Sequence, residues 1–211
     1  MKSEKYNSAI DYLGYAFYAF GGLGLEILLI MIEKNMFGYT NNKWTITQNI
    51  SHWIITCVLW GFISYILYKK LPKANNSIDN IKWQITGLIF IISIVYTTFS
   101  WKGFKPIIEF SSNGMLKFVV QYIYYGFEGM LITLIIVFGQ KAFDMWFKNN
   151  RNIPFGGILL AVTWGTVHFL TQGNSTGMYT CILSILYGLT YLSLNGNFKI
   201  SYIAITLMFM L

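Results

Sequence analysis

The sequence predicts an all-α fold, a polytopic bundle of about seven transmembrane helices forming one integral membrane domain over residues 1–211. Three observations lead there. Of the 211 residues 55% are hydrophobic and only 11% charged, with a mean hydropathy of +0.51, whereas a soluble domain carries about 25% charged residues to coat its surface. The apolar residues collect in runs close to the roughly 17–25 residues that a helix needs to cross a bilayer. These runs do not alternate with period two, and only helices and closed barrels satisfy the backbone in lipid.

The first run, Tyr12–Ile32, follows a start of mixed charge and leads straight into a full-length span, so no cleavable signal is expected. It contains Gly21, Gly22 and Gly24, small residues that let another helix approach closely. The second, His52–Tyr68, opens with a His-Trp pair at the interface, where His52 is expected to act as an anchor. The third, Trp83–Phe99, contains no charge, and the fourth, Phe118–Phe138, contains only Glu128. Ile153–Leu170, Met178–Leu194 and Phe198–Leu211 complete the set, the last two separated only by Asn195-Gly196-Asn197.

The net charge of +7 lies between these runs, where it sets topology and meets anionic headgroups rather than nucleic acid. With the N-terminus inside, Lys2, Lys5, Lys69, Lys70, Lys73, Lys82, Lys141, Lys148, Arg151 and Lys199 fall on the cytoplasmic side. Lys34, Lys43, Lys102, Lys105 and Lys117 fall on the other. The asymmetry favours a cytoplasmic N-terminus. Cys57 and Cys181 lie within apolar runs, without metal-ligand or redox spacing, and are expected as small buried hydrophobes.

Chemistry is expected at Glu128 and His168. An ionised carboxylate at mid-span costs about 2.5–3.5 kcal/mol on insertion scales, so an intramembrane Glu marks function by default. Tyr125, Tyr124 and Gln121 precede Glu128 by three, four and seven residues, which brings hydroxyl and amide groups to or near its face. The carboxyl is expected to act as a general base or acid; a protonated Glu tying two helices together is the alternative. His168 has Trp164 one turn before and Gln172 one turn after; the imidazole can shuttle a proton, and Gln172 can fix its tautomer. In the predicted orientation Glu128 lies roughly 15 Å below the outer end of its span. His168 is near the outer end of the next, so both can line one cavity open to the outer leaflet. Glu26 is a further candidate carboxylate. Two histidines cannot make a three-histidine zinc site, and neither a metal nor a cofactor is expected.

The order of these features resembles the CAAX-protease and bacteriocin-processing (Abi) family of intramembrane proteins, over roughly Phe118 to Leu211. That family carries EExxxR, then FxxxH, then HxxxN or HxxxD. Here the first motif is similar to Glu128-Gly129-Met130-Leu131-Ile132-Thr133, keeping the first Glu. The second is similar to Trp164-Gly165-Thr166-Val167-His168, and the third would fall near Ile205 and Phe209, without its polar residues. The resemblance implies Glu128 and His168 as catalytic residues of an enzyme in the bacterial cytoplasmic membrane. Glu26, Gln121, Tyr124, Tyr125, Trp164 and Gln172 would support them or bind substrate. One branch of the family is implicated in N-acylating lipoproteins. Acyl transfer to an amine needs a base but no activated water, which the reduced motif set fits better than peptide hydrolysis. Membrane lipid and a lipoprotein are then the expected partners. A peptidase of hydrophobic or lipidated peptides is a second expectation. A non-catalytic bacteriocin-immunity protein, or a scaffold for a partner membrane enzyme, is a third.

Overall fold

The computed structural model describes residues 7–72, 80–148 and 153–211. The charges at Lys2, Lys5, Lys73 and Arg151 lie outside the described residues. Every predicted apolar run is helical, and the described residues contain no strand. The helices are α1 (Ala9–Phe37), α2 (Ile46–Tyr68), α3 (Trp83–Ser100), α4 (Lys105–Phe147), α5 (Phe155–Leu160), α6 (Thr166–Gln172), α7 (Asn174–Ser193) and α8 (Phe198–Met210). A π-helical turn, Ala161–Gly165, joins α5 to α6. By length and composition α1, α2, α3 and α4 can each cross a membrane, and α8 is a shorter apolar helix.

The boundaries follow local chemistry. Ser8 and Asp11 form a reciprocal capping box at the start of α1, and Gly38, at φ 77°, closes the helix in the left-handed conformation. Thr45 and Gln48 cap α2 in the same way. The largest departure from the sequence reading is α4, which begins thirteen residues before the predicted Phe118. Gly114 breaks it at φ 69° and ψ 170°, a conformation that strongly favours glycine. The segment before the break folds back along the one after it: Asn113 Nδ2 donates to Gln121 Oε1 and Tyr125 OH to Glu109 Oε1. Hydropathy misses this helical hairpin because its first arm contains Lys105 and Glu109.

α4 is the central element, packed against α1, α2, α5 and α8. Its stretch Leu131–Phe138 is almost wholly buried, so it behaves as a core helix while its neighbours turn apolar residues outward. Helices approach through small residues. A Cβ at Gly156 would collide with the Ile136 backbone, and Gly157 and Gly188 meet backbone to backbone between α5 and α7. Trp60 Nε1 donates to Gly22 O at 2.8 Å, tying α2 to α1. Both cysteines are free and half-buried.

Candidate functional site

The predicted site residues come together. Glu128, His168, Glu26, Gln121, Tyr124, Tyr125, Trp164 and Gln172 all line one cavity of about 320 Å³. Trp53, Trp101, Lys105, Tyr179 and Phe209 complete its main walls. These residues come from the C-terminal half of α1, the start of α2, the α3–α4 joint, the middle of α4, the π-helical turn and α6, the start of α7 and the end of α8. Alternating helices therefore bring them to one end of the bundle.

Glu128 is buried on α4 and lines the cavity together with Trp164. Trp164 also organises the histidine. Its ring meets His168 edge to face at 4.5 Å between centroids, and its carbonyl lies 2.9 Å from His168 Nδ1. A carbonyl only accepts, so the neutral imidazole carries its proton on Nδ1 and leaves Nε2 as the basic nitrogen. This replaces the expected role of Gln172: it lines the cavity, but the tautomer is set by the Trp164 backbone.

The tyrosines also differ from expectation. They share the cavity with Glu128 yet donate to carboxylates from other segments. Tyr124 OH bonds Glu26 Oε1 at 2.7 Å, and Tyr125 OH bonds Glu109 Oε1 at 2.6 Å. Gln121 Nε2 donates to Tyr125 OH at 2.6 Å and to Glu109 Oε1 at 3.2 Å. Intrahelical spacing places hydroxyls near Glu128, but α1 and the first arm of α4 supply acceptors that the spacing does not reveal.

Two functional groups escape the sequence reading. Lys105, counted among loop charges, is 3% exposed and donates to Phe209 O at 2.6 Å. Its ammonium also lies 4.5 Å from the Tyr125 ring centroid and 4.7 Å from that of Phe209. The signal for it was the pair Lys105 and Glu109, one helical turn apart. His52, expected as an interfacial anchor, is 3% exposed. Its Nδ1 lies 2.6 Å from Glu33 Oε2 and its Nε2 3.7 Å from Glu26 Oε1. A chain of side chains, Glu33–His52–Glu26–Tyr124, buried except at the half-buried Glu26, thus leads into the cavity. A single His-Trp pair at a helix start carries no sign of two carboxylates from the preceding helix.

The departures from the resembled motifs have a packing basis. A Cβ at Gly129 would land on Thr206 Oγ1 of α8, so a second Glu at this position requires the Thr206 side chain to give way. Thr133 is fully buried and donates to Gly129 O at 2.7 Å, as its own helix allows. Ile205 is a core residue, and Phe209 fills the cavity wall against Tyr125, Trp164 and Lys105. Among the described residues no three His, Cys, Asp or Glu side chains are grouped to hold a metal ion. No protein-family model, curated protein or solved structure matches the chain.

Proposed function

We propose that the protein is an intramembrane acyltransferase of the bacterial cytoplasmic membrane, acting at the outer leaflet on lipid-anchored substrates, with lipoprotein N-acylation as its reaction. Its helices make about seven crossings with the N-terminus inside, which places the cavity end at the outer leaflet. The observation that carries the reading is the convergence of Glu26, Glu128, Lys105 and the unprotonated Nε2 of His168 on one cavity. Acyl transfer from an ester to an amine needs a base for the attacking amine, a proton for the leaving alcohol and a cation or donor near the developing oxyanion. His168 Nε2 serves as the base, Glu128 as its partner in proton transfer, and the Lys105 ammonium supplies positive charge to the same chamber. The resemblance of Glu128 and Trp164–His168 to the Abi motifs supports the same assignment, while Gly129, Thr133 and Phe209 stand where those motifs carry the adjacent second Glu and the other polar groups of the peptidases.

Mass spectrometry of lipoprotein N-terminal peptides tests the reading in cells with and without the gene, and with Glu128→Gln or His168→Ala in its place. The N-acyl group should require the gene and both residues. Full modification by two stably inserted variants would make both residues structural and leave a non-catalytic binding protein as the better account.

A further inference from the structure

A second cavity, of about 450 Å³, lies between α1 and α6 and shares Glu26, Trp164, His168 and Gln172 with the first. Inward of Glu26 its α1 wall is wholly apolar, and outward of Glu26 the apolar Ile27 and Ile30 precede a polar rim. Asn41 and Thr171 stand at the outer rim, Glu26 and His168 lie below them, and Gly24, Leu23, Gly21 and Phe20 form the deep part. From Glu26 to Phe20 is about 9 Å along the helix axis without another charge. Gly21 and Gly24 leave this space open: a Cβ at either would meet nothing within 4 Å, whereas one at Gly22, on the packed side, would touch Ile63. Ile27 lines the cavity and is 41% exposed, so the wall opens sideways on a helix able to cross a bilayer.

We propose that this second cavity holds the ester-proximal part of one acyl chain of a phospholipid, lying along α1 with its ester at the level of Glu26 and His168. The proposal rests on the acyl-transfer reading and names its donor. Charge complementarity fixes the headgroup's place. Lys105 is the one lysine or arginine among the residues lining either cavity, and it forms no ion pair among the described residues. With the carboxyl groups of Glu26 and Glu128 in the same chamber, it offers complementary charges to the phosphate and ammonium of a zwitterionic headgroup. The lipid phosphate therefore sits in the polar chamber, toward Lys105, while the chain runs inward over Gly24 and Gly21. Burial of methylenes on that floor supplies the affinity, and the shared wall brings the ester to the basic nitrogen.

The test uses the full chain in lipid nanodiscs containing phosphatidylethanolamine with a photoactivatable diazirine on the ester-proximal half of an acyl chain, with cross-links mapped by peptide mass spectrometry. Label should concentrate on α1 between Phe20 and Ile27 and on Val167. Gly21→Leu and Gly24→Leu place side chains in open space and should each lower that label about tenfold, the equivalent of about two excluded methylenes. Label spread evenly over the outward faces of α2 and α3, or unchanged label in both leucine variants, would overturn the proposal. The wild-type map decides by itself should a leucine variant fail to fold. The expected label together with lipoproteins unaffected by loss of the gene would keep the acyl-chain cavity and remove the acyltransferase reading. N-acylation without the label would keep that reading and remove the cavity.

Discussion

His52 Nδ1 and Glu33 Oε2 meet at 2.6 Å inside the bundle, nineteen residues apart in the chain. The pair joins α2 to α1 just above the cavity, and the other imidazole nitrogen faces Glu26. His52 is thus a strut between two carboxylates, one near the end of its helix and one in the site.

Breaking that strut should be costly. Removing one member of a buried hydrogen-bonded pair strands its partner, at about 3–5 kcal/mol. Glu33→Ala is expected to lower the unfolding midpoint of the detergent-solubilised protein clearly, and Glu33→Gln, which keeps a hydrogen-bonding group, to lower it less. Equal midpoints for wild type and Glu33→Ala would show that the contact contributes nothing.

Glu128→Gln and His168→Ala should each reduce lipoprotein N-acylation by about 10²–10⁴-fold, the usual scale for a proton-transfer residue. The double variant should be little worse than either single one, because members of one catalytic device are strongly non-additive. Independent, multiplying losses measured as initial rates would separate the two residues. Glu26→Gln should give a partial loss, since Tyr124 can still donate to the amide oxygen.

Restoring the second motif carboxylate should fail through packing. Gly129→Glu is expected to destabilise the protein by about 1–3 kcal/mol, since its Cβ meets Thr206. Thr206→Ala removes the nearest atom and should recover part of the loss. Thermal unfolding of the two variants and their combination measures this coupling; a Gly129→Glu protein as stable as wild type would show that the Thr206 side chain gives way freely.

The arrangement of crossings has its own check. Reporter fusions at Asn75, outside the described residues, and at Asn174 should report cytoplasmic and external positions respectively. Both on one side would reverse the placing of the cavity at the outer leaflet.

The helices and most of the cavity wall could be read from the sequence because both follow short-range spacing. Gln121, Tyr124, Tyr125 and Glu128 lie on or beside one face of a helix, and Trp164, His168 and Gln172 are a turn apart. What each side chain bonds to was not legible. Tyr124 reaches Glu26 across 98 positions of sequence, and Lys105 reaches Phe209 across 104. Periodicity within one run says nothing about such partners. The backward fold at Gly114 was hidden for another reason: one glycine in the left-handed region reverses a chain whose polar flank looks like an ordinary loop.

The π-helical turn at Ala161–Gly165 makes the site depend on backbone form as well as residue type. Thr166 N–H reaches back five residues to Ala161 O, so this turn holds one residue more than an α-helix needs. Were the same five residues wound as regular α-helix, the segment from Phe155 to Gln172 would conserve every site residue and aim them differently. Everything beyond would then rotate by about 100° relative to α5. His168 would leave the wall between the two cavities, and Gly165 would swing off the Cys181 side chain that now fits against it. A related chain with regular α-helix through these five positions could keep its Trp and His and still have no site.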